Sequence, residues 1–445
     1  MKKVLSTAVA LGVCLVLPAA AMAGAGMSDE QILKELEYLR NKVAAQQEHI
    51  DALGAMVDKK VAAKVEEEVK KTGGSASGSS KVALANEFID QLTLKGDLRV
   101  RYERQDKNYY DQANAADVAR DRWRTRFRLG GVWDNKAENW EVGAGLASGE
   151  RANDDGSHLA TSTNSTWSKY SAFESPGLWL DYAYAAHKVD DFKFTLGQQL
   201  NPYETSWVLY DSDVRLAGLS AQYGKKEGVF ATLGGYGAKL VGDDNTAMLY
   251  KGQVGYRDKV GDVSYVLAAS YQKYDQSFIN DKANTSLNTV DPTKYALEIG
   301  DLYGKVSFPV SSAKLSLYGH LWQNFGADGA IGASQAKDFP KKPGDADLGW
   351  VVGLDAKIDK VRLGYAYAVV EADSLYGALS DSDFGDGLGS VTNKKGHRVQ
   401  AGYDITKNWA LDFTWMNYKQ EEAYYSANNK VDTVNLMQFD VGYKF

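Results

Sequence analysis

From Leu92 to Phe445 apolar and polar side chains alternate along one segment after another, the period-two pattern of strands with two unlike faces. About 16 such segments can be marked, near residues 92–104, 120–133, 139–149, 178–188, 191–200, 214–223, 228–240, 247–257, 262–274, 297–308, 312–324, 346–357, 360–371, 394–404, 408–419 and 433–445. Each is near or somewhat above the roughly 9 to 11 residues that a tilted strand needs to cross a bilayer. Every second joint is short and polar (DNKAEN, VDD, GKKEG, KVGD, VSSA, IDK, ITKN), and the others are mostly long and rich in Gly, Asp, Asn and Ser. The prolines beyond the N-terminal leader are expected in loops or turns.

The alternation assigns the faces. MQFDVGYKF at the terminus puts Met437, Phe439, Val441, Tyr443 and Phe445 on one side and Gln438, Asp440, Gly442 and Lys444 on the other, and DVSYVLAASYQ and NWALDFTWMNY behave similarly. The expectation is an all-β transmembrane barrel of about 16 antiparallel strands over 92–445, apolar outside against lipid and polar inside against a lumen. A closed barrel satisfies its backbone hydrogen bonds within a membrane, which an open sheet cannot do. An even strand count places the C terminus with the short turns, on the periplasmic side of an outer membrane.

The residues before the barrel follow other periods. Residues 1–23 have the parts of a secretory signal peptide: Lys2 and Lys3, an apolar run from Val4 to Leu17, and Ala21-Met22-Ala23. Residues 28–71 predict a helix, opened by a Ser28/Gln31 capping box, in which Ile32, Leu36, Leu39, Val43, Gln46, Ile50, Leu53 and Val57 alternate spacings of four and three. That seam is expected to form a coiled coil in the periplasm. Residues 72–91 begin as a flexible linker, TGGSASGSS, and continue as a short helix.

Candidate chemistry concentrates on one strand. RDRWRTRFRLG places Arg120, Arg122, Arg124, Arg126 and Arg128 on one face and Trp123, Phe127 and Leu129 on the other. In the lumen reading Arg122, Arg124, Arg126 and Arg128 line a pore, joined by Lys95, Arg99 and Arg101 from the preceding strand. So many cations on one wall require carboxylates nearby, and Asp97, Glu103, Glu141 and Asp181 occupy lumen-facing positions on this or adjacent strands. Two roles follow for the arginines: stiffening the wall through bidentate pairs, or facing an acidic loop across the lumen to make a field that orients polar solutes.

Composition narrows the alternatives. The single cysteine, Cys14, lies in the leader, which excludes disulfides, thiolate metal sites and covalently attached haem from the mature chain. The formal charge of −7, with Lys2 and Lys3 counted, argues against nucleic acid as a partner. Five histidines, 49, 158, 187, 320 and 397, are scattered without metal spacing, and no hydrolase motif is present, so neither an enzyme nor a cofactor or metal site is expected. DSDFGDGLGS, from Asp381, departs from a calcium-loop pattern because Gly385 stands where the fifth ligand belongs, and is expected to be a solvated loop.

The leader, the coil, LKGDLRVRYERQD, RDRWRTRFRLGGVW, NWEVGAGLASGE, TSWVLYDSDVR and the terminal Phe after alternating aromatics resemble the putative-porin family of Gram-negative outer membranes with an N-terminal coiled coil. The resemblance implies a passive trimeric channel embedded in outer-membrane lipid and lipopolysaccharide. General porins narrow the pore with their third external loop, here NPYETSWVLYDSD with Glu204, Asp211 and Asp213; ERANDDGSHLATSTNSTWSKYSAFESPG is the rival for that inward position. The leading expectation is therefore a diffusion channel for small hydrophilic solutes and ions. The alternatives are an anion-selective channel and an envelope protein that uses its coil to tether the outer membrane to the cell wall or to a periplasmic partner.

Overall fold

A computed structural model describes residues 41–42, 90–109, 118–149, 168–169, 177–241, 245–275, 296–327, 345–385, 387–388, 392–422 and 431–445. The residues expected to form the signal peptide and the coil seam, and nearly all of those expected to form the linker, lie outside the described residues. The strands are β1 (Leu92–Tyr109), β2 (Val118–Asn135), β3 (Trp140–Gly149), β4 (Ser168–Lys169), β5 (Gly177–Val189), β6 (Phe192–Leu200), β7 (Arg215–Gly224), β8 (Gly228–Val241) and β9 (Asn245–Val260). They continue as β10 (Val263–Tyr274), β11 (Glu298–Val310), β12 (Ala313–Asn324), β13 (Leu348–Ile358), β14 (Val361–Val370), β15 (Lys394–Asp404), β16 (Trp409–Gln420) and β17 (Val431–Lys444).

Apart from the two-residue β4, which pairs with Arg124 and Thr125 of β2, these are 16 antiparallel strands in sequence order. The sheet closes on itself where β1 meets β17, from Asp97 opposite Lys444 to Tyr109 opposite Val431. Phe445 completes the seam: its N–H donates to the Gly96 carbonyl (3.1 Å) and its carbonyl accepts from Gly96 N–H (3.0 Å). The Phe445 ring lies over Gly96, where a Cβ would collide with it, so that position needs glycine.

Turn chemistry explains one end of the barrel. The two-residue turns 190–191, 261–262, 311–312 and 359–360 each begin at positive φ, on Asp190, Gly261, Ser311 and Asp359. Tight hairpins whose twist matches the strands require that conformation, and Asp, Asn and Gly accept it most readily. At the opposite end the joints are longer, except for residues 242–244 between β8 and β9. Pro309 lies inside β11 rather than in the following turn, a correction to the expectation for the prolines; it falls within the last residues of the strand.

The outer surface is apolar and exposed, as at Leu196, Leu233, Val254 and Leu267. Aromatic residues border that band on both sides. Tyr250 and Tyr256 on β9, and Tyr271 and Tyr265 on β10, stand six positions apart, about 20 Å along a strand at about 3.4 Å per residue. An exposed apolar band between two aromatic girdles fits the hydrocarbon layer of a bilayer. Among the described residues no helix is long and apolar enough to cross a membrane, so the strands carry the crossing.

The expected polar lumen holds for only part of the barrel. Towards the long-loop end many inward positions are apolar and buried, among them Tyr236, Leu249, Tyr274, Trp322, Met416 and Leu436. They pack against two loops that fold into the barrel, residues 201–214 between β6 and β7, and residues 371–385 and 387–388 between β14 and β15. A wall that meets protein instead of water takes apolar residues for the same reason that any core does.

This arrangement predicts a contrast on β6. Leu196→Arg, on the lipid face, should lower unfolding stability in vesicles by about 2–4 kcal/mol, the cost of a cation near the bilayer midplane. Lys193→Arg on the inner face should leave it within about 0.5 kcal/mol. Equal losses in urea titrations would contradict the assignment of faces.

Candidate functional site

The site begins with a repulsion written into the β1–β2 register. Arg99 lies opposite Arg126, and Arg101 opposite Arg124. Like charges directly across a strand pair destabilise it. Carboxylates must therefore enter from elsewhere, and they come from three places.

The first is the wall itself. Glu103, fully buried on β1, accepts from Arg122 Nε (2.5 Å), Arg120 Nη2 (3.2 Å) and Arg124 Nη1 (3.2 Å), and from the Gln438 amide (3.1 Å). Asp97 accepts from Arg126 Nη2 at 3.4 Å. The second is β17, where Asp440 faces Arg101 in register and takes a two-pronged fork from it, Nε to Oδ1 at 2.7 Å and Nη2 to Oδ2 at 2.9 Å. Asp440 Oδ2 is also 3.9 Å from Arg99 Nη1.

The third source is the pair of inner loops. Asp213 accepts from Arg128 Nη2 (2.6 Å) and Arg126 Nη1 (3.5 Å). Asp383 accepts from Arg101 Nη1 (3.1 Å) and the Gln438 amide (2.9 Å), with Arg124 Nη1 4.0 Å away. Each loop thus docks on the arginine ladder through one aspartate, and the two docking turns are alike. Both read Asp-Ser-Asp, 211–213 and 381–383, and in both the first aspartate accepts from the third residue's backbone N–H at 2.9 Å. The loops also join each other, through Asp211 N–H to the Leu379 carbonyl (2.7 Å) and through Trp207 edge-on to Phe384, 5.4 Å between ring centres. Gly385, at φ +125°, turns the chain directly after Phe384.

The paired turns divide their charges. Burial by itself pushes all four carboxyls up. At Asp213, Arg128 and Arg126 outweigh burial and hold the carboxyl down at about 2. Arg101 and Arg124 likewise hold Asp383 below its ordinary value. At Asp211 and Asp381 burial wins, reinforced by the neighbouring aspartates, and these carboxyls are raised.

The remaining candidates are dispersed. Asp181 pairs with Arg215 (3.1 Å) and lies 3.9 Å from Arg128. Glu141 accepts from Lys193 (3.0 Å) and Tyr184 (2.8 Å), apart from the ladder. Glu204, half-exposed, faces Arg257 at 3.5 Å. Lys95 is exposed near the short-turn end of β1.

Two features of the site escaped sequence reasoning. The segment from Asp381 is not a solvated loop: Asp381, Asp383 and Phe384 are buried inside the barrel. Its signal was the repetition of Asp-Ser-Asp. The other feature is a buried chain of hydrogen bonds that secures loop 201–214 to the far wall. Ser206 N–H donates to His320 Nδ1 (3.2 Å) and Ser206 Oγ lies 2.8 Å from the same atom. A backbone N–H can only donate, so Nδ1 accepts, and Nε2 carries the proton towards Asp301 Oδ1 at 3.1 Å. Ser, His and Asp occur in the order of a hydrolytic relay, but His320 and Asp301 expose no side-chain surface and the group acts as a clamp. Nothing in the spacing of residues 206, 301 and 320 announces it.

On the short-turn side of the two loops lies a cavity of about 1250 Å³, lined by Arg99, Arg101 and Arg126 on one wall and by Asp355, Arg362 and Arg398 on the other. Trp207, Asp211, Asp213, Asp381 and Asp383 border it from the loops.

The charge division predicts unequal variants. Asp213→Asn and Asp383→Asn leave buried guanidiniums short of a partner and should each lower the opening free energy of the docked loops by about 3–5 kcal/mol. Asp211→Asn and Asp381→Asn keep the Oδ1 acceptor of the turn and replace carboxyls already pushed towards the neutral form, so they should cost less than about 1.5 kcal/mol. Acidification should weaken the docking through Asp213 in one direction: its contribution is complete above the ordinary carboxylate range and disappears as pH falls through about 2. Amide hydrogen exchange across residues 206–214 and 379–384 measures all three, and equal losses in the four variants would contradict the division.

Comparison with known proteins agrees with this architecture. The structure of Pseudomonas putida OprB at high pH is similar at 14% identity and a TM-score of 0.53, covering 81% of this chain and 96% of that one, a likeness that bears on the fold alone. An anion-selective porin from Comamonas acidovorans (15% identity, TM-score 0.45, 80% and 99% covered) and the outer membrane channel DcaP of Acinetobacter baumannii (12%, 0.44, 80% and 97%) also match. No curated protein matches the chain. The family model described as putative porin matches residues 105–299 and 307–445, most of the barrel, and the chain belongs to that family.

Proposed function

We propose that this protein is an outer-membrane channel for passive diffusion of small hydrophilic solutes and ions, with its short turns in the periplasm. The observation that carries this reading is the pair of loops folded into a closed barrel and docked on an arginine ladder above a polar, charge-lined cavity. Such an arrangement narrows a water-filled lumen without closing off its polar wall. Family membership supports it. A homotrimer surrounded by lipid and lipopolysaccharide is part of the same proposal. The coil, as a trimer stalk or as a tether to the cell wall or another envelope partner, belongs to residues outside those described.

The pore-lining role proposed for Lys95, Asp97, Arg99, Arg101, Glu103, Arg122, Arg124, Arg126, Arg128, Glu141 and Asp181 is uneven. Arg124 and Arg126 are buried and neutralised by Glu103, Asp97 and Asp213. Their first role in this reading is to hold the constriction, with Asp211 and Asp213 on one loop and Asp383 on the other, while Glu204 faces Arg257 and is not part of the cavity lining. Ion selectivity then follows less from the buried, carboxylate-paired part of the ladder than from groups nearer the water.

Planar-bilayer recording tests the proposal. The purified full-length protein should give ohmic single-channel steps, and an absence of conductance from correctly folded barrels would overturn the channel reading. Replacing Arg124 and Arg126 together with Gln should raise and destabilise the conductance, because Asp213 and Asp383 each lose part of their anchorage. The reversal potential should change little. A large shift towards cations with steady conductance would instead assign the ladder a direct role in selectivity.

A further inference from the structure

One arginine on the inner wall breaks the pattern of the others. Among the described residues every arginine except Arg398 lies within ion-pair distance of a carboxylate. Arg398, on β15, instead places its guanidinium over the Trp207 ring of loop 201–214, the guanidinium carbon 4.4 Å from the ring centre. Trp207 is itself fixed, donating from Nε1 to Tyr318 Oη at 3.2 Å and meeting Phe384 edge-on. Stacking occupies the face of a guanidinium and leaves its in-plane donors for hydrogen bonds.

Arg398 borders the cavity. Arg398, Trp207, Gln400 and Asp355 line it together, with Gly364 of β14 between Gln400 and Asp355. Elsewhere in this lumen guanidiniums meet carboxylates. Two carboxylates are near enough to feel Arg398 without contacting it, Asp381 and Asp355. Each is also offset by a lysine, Lys394 for the first and Lys305 for the second.

We propose that Arg398, held rigid by Trp207, is a solute subsite on the short-turn side of the constriction that binds the carboxylate of a small organic solute, with the Gln400 amide beside it. This deepens the channel reading and takes its meaning from it. A planar fork with free donors receives a carboxylate through two parallel hydrogen bonds. Its position between the constriction and the wider cavity makes it a transient stop on the path, where binding must be weak enough to allow release.

The test uses trifluoroacetate as the probe, with its ¹⁹F line width followed on the full-length protein folded in detergent, so that binding is read whether or not the protein conducts. The wild type should broaden the line saturably, and acetate should reverse the broadening at lower concentration than inorganic phosphate. Arg398→Gln should weaken the effect at least about fivefold. Arg257→Gln is the control: Arg257 also stacks on a ring, 3.9 Å from the centre of Phe230, but it already faces Glu204 and lies outside the cavity, so binding should be unchanged. Heat-modifiable gel migration verifies folding. Should Arg398→Gln fail to fold, Arg398→Lys keeps the charge without the fork and should weaken binding at least threefold. Broadening that survives at Arg398, that is lost equally in Arg257→Gln, or that phosphate reverses before acetate overturns the assignment. A silent channel that still binds the probe through Arg398 would count against the channel reading alone.

Discussion

Two arginine pairs face each other across the β1–β2 register, Arg99 with Arg126 and Arg101 with Arg124, and the rest of the interior answers that constraint. A wall of this kind is unstable until carboxylates reach it. Glu103 and Asp97 supply part of the charge from within the wall and Asp440 supplies part across the closing seam. The remainder arrives on Asp213 and Asp383, which makes the docking of two loops a condition for the stability of the wall, and the wall a condition for the position of the loops. Burial strengthens this mutual dependence, because an unpaired buried charge costs far more than an exposed one.

Docking the loops divides the lumen into two environments. On the long-loop side the inward residues are apolar and pack on Tyr203, Val208, Leu209 and Leu375 as a protein core. On the short-turn side the wall stays charged and borders an open cavity. The boundary runs through the paired Asp-Ser-Asp turns. In each turn one aspartate is stabilised as an anion by arginine and the other is pushed towards its neutral form by burial and its neighbours. Four acidic groups can share so small a volume because they do not all carry charge to the same degree.

The clamp around His320 has a complementary role. The ladder holds the loops from the β1–β2 side by ionic contacts, and Ser206, His320 and Asp301 hold loop 201–214 from the β11–β12 side by neutral and charge-assisted hydrogen bonds. Lys251 adds a contact to Asp301 at 3.6 Å and lies over the rings of Tyr210 and Tyr203. A loop fixed at both walls spans the lumen instead of lying along one side.

The local pattern of the sequence specifies the barrel: strand number, the outward face and the end with short turns all follow from a period of two and from turn residues such as Asp190 and Asp359. These are local quantities, set by sterics and by the burial of one face. It also marked the arginine strand and Asp213, because five cations at alternate positions have only one geometric meaning on a strand. Which carboxylate meets which arginine depends on the closed barrel, since Asp383 and Arg101 are separated by 282 positions and meet only after the barrel closes. The inward fold of residues 371–385 and the apolar inner wall were hidden for the same reason. An inward-facing Leu249 or Met416 contradicts a polar lumen until a loop is known to cover it, and a hydrogen-bonded chain through Ser206, His320 and Asp301 has no period to betray it. Alternation records the side to which a residue turns; what awaits it there depends on the long-range path of the chain.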